Sequence, residues 1–161
     1  MNKESYQFAY DVYDSADELP EADALLVKAA RETTAAAYAP YSNFRVGAVA
    51  RLANGATVTG TNQENAAYPV GICAERVLLG SSAALYPGVP IDTLVVSYHN
   101  GNGDSDRPIS PCGMCRQSLA EYQERLKQPI RLILSGMSGK VIVIDKANAL
   151  LPLNFGSVDL K

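Results

Sequence analysis

Ile91-Asp92-Thr93-Leu94-Val95-Val96-Ser97-Tyr98 is an apolar, β-branched run, and the segments on either side of it read as helices. The first runs from about Cys73 to Leu85 and the second from near Cys112 to about Arg125, so each begins at a cysteine. A strand framed by two helices points to α/β layering, because each element must bury its apolar side on the next layer. Further out, Asn54-Gly55 separates two strand-like runs, Phe44 to Ala53 and Ala56 to Asn62. Asn-Gly prefers positive φ and is the strongest short hairpin signal. Pro20 and Glu21 open an amphipathic helix that leads through Ala24, Leu25, Val27 and Ala29 toward Tyr38, with Pro40 as its stop. Ile130 to Leu134 and Val141 to Ile144 are two more short strands, and the Gly/Asp/Asn-rich stretch from His99 to Pro108 reads as a surface loop. The expected fold is α/β, a three-layer α/β/α sandwich around a mixed five-stranded sheet, with a hairpin first and parallel crossovers later.

Residues 21–161 suffice for one domain, and residues 1–20 read as an N-terminal extension. In that extension Tyr6, Phe8, Tyr10 and Val12 alternate with other side chains, which suggests an edge strand with one face buried, or an arm against a partner subunit. Apolar residues make up 47% of the chain, enough for a sizeable core. With 14 basic against 17 acidic residues and no Lys/Arg cluster, nothing favours a nucleic-acid backbone or an anionic membrane as partner. No stretch approaches the roughly 18 apolar residues of a membrane span. Met1 to Glu18 holds no long apolar run, so no signal peptide is expected. A cytoplasmic location follows as an expectation, and there cysteines stay reduced. Three is also an odd count for a disulfide framework.

Cys73-Ala74-Glu75 and Pro111-Cys112-Gly113-Met114-Cys115 use all three cysteines. Cys112 and Cys115, three apart at a helix start, can reach one ion, and Cys73 can supply a third thiolate. Thiolates are soft ligands that suit zinc, and three of them leave tetrahedral Zn2+ one open position, the mark of a catalytic site. Three thiolates carry −3 against +2, so positive groups are needed nearby. Two helix N-termini, Arg76 and Arg116 are the candidates, with Arg76 preferred for hydrogen bonds to the sulfurs. Glu75 is not needed as a ligand and is placed to take up and return a proton. A closed structural site would instead need a fourth ligand. His99, the sole histidine, could supply it, which would make the chain a non-enzymatic zinc module.

The chain resembles the zinc-dependent deaminases, and among them the small, three-cysteine, homotetrameric cytidine deaminases of free nucleosides. The resemblance rests on Tyr41-Ser42-Asn43-Phe44-Arg45-Val46-Gly47-Ala48, Asn62-Gln63-Glu64-Asn65-Ala66-Ala67-Tyr68, Cys73-Ala74-Glu75-Arg76, Pro111-Cys112-Gly113-Met114-Cys115-Arg116-Gln117 and Leu150-Leu151-Pro152-Leu153-Asn154-Phe155. It implies a cytidine deaminase-like fold over residues 21–161, with one Zn2+ per subunit on Cys73, Cys112 and Cys115. It makes Glu75 the proton shuttle and Arg76 the arginine that hydrogen-bonds ligand sulfurs. Asn62 and Glu64 match the pair that holds ribose hydroxyls, and Phe44 the aromatic that packs on the pyrimidine. Tyr68 and Phe155 match residues that reach an active site across a subunit interface. Tyr41 is either structural or substrate-lining. Arg45 departs from the family, where an uncharged residue is common, and the Gly101–Asp106 loop looks longer than usual.

The implied reaction is hydrolytic deamination of cytidine and 2′-deoxycytidine to uridine and 2′-deoxyuridine, with release of ammonia, as in pyrimidine salvage. The rival substrate is another aminated heterocycle such as blasticidin S. Editing of a base within RNA or DNA would need a basic, aromatic groove, for which this composition offers no support.

Overall fold

The computed structural model describes residues 1–160. Six strands form one sheet: β1 (Asp11–Tyr13), β2 (Phe44–Leu52), β3 (Thr57–Thr61), β4 (Ile91–Asn100), β5 (Arg131–Ser135) and β6 (Val141–Ile144). Their order across the sheet is β1-β6-β5-β4-β2-β3. Three helices accompany them: α1 (Glu21–Thr33), α2 (Ala74–Leu85) and α3 (Gly113–Leu126).

The alternation of side chains along each strand builds two separate cores. Ala48, Ala50 and Leu52 of β2, Leu94 and Val96 of β4, and Leu132 and Leu134 of β5 face Leu78 of α2 and Leu119 of α3. The residues between them, Val49, Val95 and Ile133, face Leu26, Val27 and Ala30 of α1. Burial on both faces is why the central strands read as continuous apolar runs rather than as alternating ones. Two glycines set how closely the helices approach. A Cβ on Gly60 of β3 would collide with the Ala74 carbonyl and lie 2.6 Å from the Leu78 nitrogen; one on Gly47 of β2 would lie 2.8 Å from the Thr34 nitrogen. Backbone atoms cannot give way as a flexible side chain can, so these contacts hold the start of α2 and the end of α1 against the sheet.

The three-layer architecture stands, with corrections to the sheet. It has six strands rather than five, because Asp11–Tyr13 pairs antiparallel with β6. Only β4 and β5 pair in parallel, across the connection that contains α3. β5 and β6 are antiparallel, because the few residues between Ser135 and Val141 are too short for a crossover. The aromatic face of the extension is not buried: Tyr6, Phe8, Tyr10 and Val12 are all exposed. β6 ends at Ile144, opposite Tyr10 in this register, and so offers the segment before Tyr10 no further partner. Tyr6 nevertheless donates its hydroxyl to the Ala149 carbonyl at 3.0 Å, and Ala16 and Leu19 enter the α1-side core.

Helix α1 stops at Thr33, short of Tyr38, and passes into a 3-10 turn over Thr34–Ala36. Thr33 and Thr34 turn their hydroxyls back onto the carbonyls of Ala29 and Arg31. Tyr38 is then drawn into pairing with the segment after β3: its N–H donates to the Asn62 carbonyl at 3.1 Å, and its carbonyl accepts the Glu64 N–H at 2.8 Å. β4 continues to Asn100, so His99 lies on the strand opposite Arg45 rather than in the loop.

Candidate active site

Cys73 is the N-cap residue of α2 and Cys112 that of α3, and both have extended backbone. Each helix start therefore presents free backbone N–H groups and the positive end of a helix dipole beside its cysteine. The Cys73 and Cys112 sulfurs are 3.8 Å apart, those of Cys112 and Cys115 3.5 Å, and all three lie within 4.8 Å of one another. Zinc–sulfur bonds of about 2.3 Å in a tetrahedron separate sulfurs by about 3.8 Å, so the trio fits zinc as it stands. The thiol hydrogen bonds already favour one anion. The Cys73 thiol is pulled down to about 6, chiefly by the hydrogen bond from Cys115 and less by Cys112 and the charge of Arg76. Cys115, the buried donor, is pushed up by the same bond and by burial. No histidine joins this cluster among the described residues, and His99 is exposed on β4, so the structure does not support a Cys3His site.

Glu75 occupies the first turn of α2 and is only 5% exposed. Burial raises its pKa, against smaller opposing pulls from its own backbone N–H and the Cys115 thiol. A carboxyl held beside the sulfurs and lifted toward neutrality suits proton transfer in both directions. Arg76 is half-buried beside Cys73 and acts on it through charge; no Arg76 hydrogen bond to a sulfur occurs among the described residues. Arg116 braces backbone instead, with Nε on the Pro111 carbonyl at 2.8 Å and Nη1 on the Leu150 carbonyl at 3.1 Å. It thereby ties the loop before Cys112 to the C-terminal tail.

Beside Cys73 opens a cleft of about 470 Å³, lined by Tyr41, Ser42, Asn62, Glu64 and Tyr68 among others. Asn62 accepts the Val46 N–H at 2.7 Å and donates to the Phe44 carbonyl at 2.9 Å. Its amide keeps one N–H and one lone pair for a ligand. Glu64 accepts the N–H groups of Tyr41 and Ser42 at 2.9 and 3.3 Å, together with the Ser42 hydroxyl. The Ser42 hydroxyl is the main reason its pKa lies below the usual carboxylate range. A fixed carboxylate of this kind retains acceptor capacity for a hydroxyl. Phe44 stacks on buried Tyr98 with ring centroids 4.9 Å apart.

Tyr68 meets Tyr41 edge-on at 6.1 Å yet stays 76% exposed. Phe155 does not line the cleft. Its carbonyl accepts Gln117 Nε2 from α3 at 2.8 Å, while its ring is 60% and neighbouring Leu153 wholly exposed. The tail thus docks through Leu150 on the core and through backbone hydrogen bonds, and leaves Leu153 and Phe155 outside. Arg45 is exposed.

Sequence reasoning missed Ser42, Tyr98, Gln117 and the bracing role of Arg116. Ser42 had one local signal, a hydroxyl beside Asn43 in a turn-forming stretch. The others depend on partners far away in sequence.

A metal-ready trio of cysteines, a buried carboxyl and an adjoining polar cleft thus lie together at the starts of α2 and α3. The family model for the cytidine and deoxycytidylate deaminase zinc-binding region matches residues 20–127. The cytidine deaminase of Halalkalibacterium halodurans is 33% identical over 136 residues, covering 84% of this chain and 96% of that protein. The blasticidin-S deaminase of Bacillus cereus is 30% identical over 140 residues, covering 85% and 94%. The crystal structure of cytidine deaminase from Burkholderia pseudomallei superposes with a TM-score of 0.70 at 38% identity, over 81% of this chain and 97% of that one. The chain belongs to the cytidine deaminase family; it is a hydrolytic deaminase, and its metal is zinc.

Proposed function

We propose that this enzyme deaminates free cytidine and 2′-deoxycytidine, in pyrimidine salvage in the cytoplasm. The observation that carries the reading is the cleft that joins Cys73 to Asn62 and Glu64. Hydroxyl acceptors beside a metal site suit a sugar attached to the base being attacked. Cys73, Cys112 and Cys115 hold the zinc, which when bound supplies Lewis-acid activation of water. Asn62 and Glu64 hold the sugar hydroxyls, and Phe44 packs on the pyrimidine. Glu75 takes a proton from the attacking water and delivers it to ring N3, which makes C4 electrophilic. The water oxygen bonds to C4, Glu75 carries that oxygen's remaining proton to the amino group, the C4–N bond breaks as C4=O forms, and ammonia leaves with the bonding electron pair. Arg76 offsets the surplus negative charge beside Cys73.

The enzyme acts as a homotetramer in which Tyr68 and Phe155 complete neighbouring sites. Support comes from their exposure and from the apolar tail, anchored by Arg116 and Gln117 but left uncovered. No helix among the described residues is long and apolar enough to cross a membrane.

The match to a blasticidin-S deaminase makes that compound the necessary rival substrate. Zinc-loaded protein offered cytidine, 2′-deoxycytidine and blasticidin S, and followed by ultraviolet absorbance and ammonia release, is expected to consume the two nucleosides. Turnover of blasticidin S alone would refute the assignment.

A further inference from the structure

The Gly101–Asp106 segment has no role in the site described so far, yet it is tied at both ends. At its far end, Ser105 Oγ accepts the Asn100 N–H at 2.8 Å. The Ser105 carbonyl accepts the N–H groups of Met137 and Ser138 at 2.6 and 3.3 Å, from the turn between β5 and β6. At its near end, Asn102 Nδ2 donates to the Ser42 carbonyl at 2.9 Å, and Asn102 Oδ1 accepts Asn43 Nδ2 at 3.1 Å. The Gly101 N–H donates to the Asn43 carbonyl at 2.8 Å. The loop is therefore a strut between the β5–β6 turn and the Tyr41–Asn43 turn.

That second turn holds Glu64 through two N–H groups and one hydroxyl. Its own bonds are few: the Asn43 N–H reaches the Ala39 carbonyl and the Phe44 N–H reaches Ser42 Oγ, both at 3.0 Å, while Asn43 holds φ 53, a left-handed conformation that asparagine tolerates. The turn is also exposed at Tyr41 and Ser42, so packing does not hold it either. We infer that Asn102 is a positioning residue for sugar recognition: its side-chain amide clamps Ser42 and Asn43, and through Ser42 it fixes the carboxylate of Glu64. This rests on the reading of Glu64 as the acceptor of a sugar hydroxyl. A brace of this kind acts on binding rather than on the chemical step, and only for substrates that carry the hydroxyl that Glu64 holds.

The test uses full-length, zinc-loaded enzyme with 2′-deoxycytidine and 2′,3′-dideoxycytidine, which lacks the 3′-hydroxyl. Asn102→Ala is expected to raise KM for 2′-deoxycytidine about three- to tenfold. Its kcat should stay within about twofold, the pattern of lost uniform binding. KM for the dideoxy substrate should not move. Asn102→Asp keeps the size and the acceptor for Asn43 but sets an oxygen against the Ser42 carbonyl, so it should raise KM at least as much. Neither substitution should add to Glu64→Ala. If Glu64→Ala narrows the discrimination between the two substrates and both Asn102 variants leave it at the wild-type value, the brace is overturned while the Glu64 reading stands. If Glu64→Ala itself leaves discrimination unchanged, the Glu64 reading fails and takes the inference with it. Equal losses of kcat on both substrates with a lowered melting temperature would mark Asn102 as merely structural and overturn the inference.

Discussion

The metal half and the polar-cleft half of the site are neighbours, but different physics holds them. Cys73, Glu75, Cys112 and Cys115 sit on or next to the first turns of two helices packed against the sheet, and Glu75 and Cys115 are buried. Asn62, Glu64 and the Tyr41–Asn43 turn lie in irregular, partly exposed chain joined by hydrogen bonds between distant segments. The first half depends on packing and the second on polar bonds that water can contest. Damage to the first should cost stability and metal; damage to the second should cost affinity and leave the fold intact.

The largest effect that separates the halves is expected at Gly60. In Gly60→Ala the new Cβ meets backbone of Ala74 and Leu78, so α2 must shift from the sheet. Overpacking of this kind costs about 3 kcal/mol, or about 6–12 °C in melting temperature for a chain of this size. Thermal unfolding with zinc content measured alongside checks it; a variant that melts like wild type with full zinc would show that this contact does not hold the metal half.

Glu64→Ala comes next. Loss of a hydrogen bond to a charged acceptor is worth about 1.5–3 kcal/mol, or about 10- to 100-fold in KM for cytidine. Melting temperature and zinc content should stay near wild type. A variant that lost its metal would erase the distinction between the halves.

The smallest effect belongs to neither half. The Arg51 hydrogen bond holds the Asp92 carboxyl below its usual range, with a closest N–O distance of 2.7 Å. A depressed folded pKa stabilises the native state above the unfolded value, and that contribution is lost as pH falls through the folded value. Both side chains are partly exposed, so Asp92→Asn should cost less than about 1 kcal/mol near pH 7. The difference from wild type should shrink as the pH drops below the ordinary Asp range, about 3.9. Paired melting curves across that range would detect it, and a gap that widened toward acid would reverse the sign of the argument.

The metal half was readable from the sequence because its determinants are local. Cys112 and Cys115 are three residues apart, Glu75 follows Cys73 by two, and helix starts can be recognised from a few neighbours. The central strands were readable for the same reason, through β-branched runs and the Asn54-Gly55 turn. The edge strand expected in the extension was legible only in part. Asp11–Tyr13 is a strand only because β6 offers it three partners, whereas the aromatic alternation before it suggested a longer element with a buried face. Nor could the sequence reveal that Ser42 holds Glu64 from 22 positions away, or that Asn102 holds Ser42 from 60 positions away. Arg116 shows how adjacency misleads: next to Cys115 in sequence, it spends its hydrogen bonds on the carbonyls of Pro111 and Leu150.

The central claim is that Glu75 performs proton transfer beside a metal site it does not help to hold. Glu75→Gln is nearly isosteric, so the fold and the three sulfurs should be undisturbed. Turnover of cytidine by the zinc-loaded variant, with zinc measured on the same sample, is the direct test. The expected result is full zinc content with kcat reduced by about 10²- to 10⁴-fold, the usual contribution of a general acid–base group. Near-normal turnover with zinc intact would contradict the account.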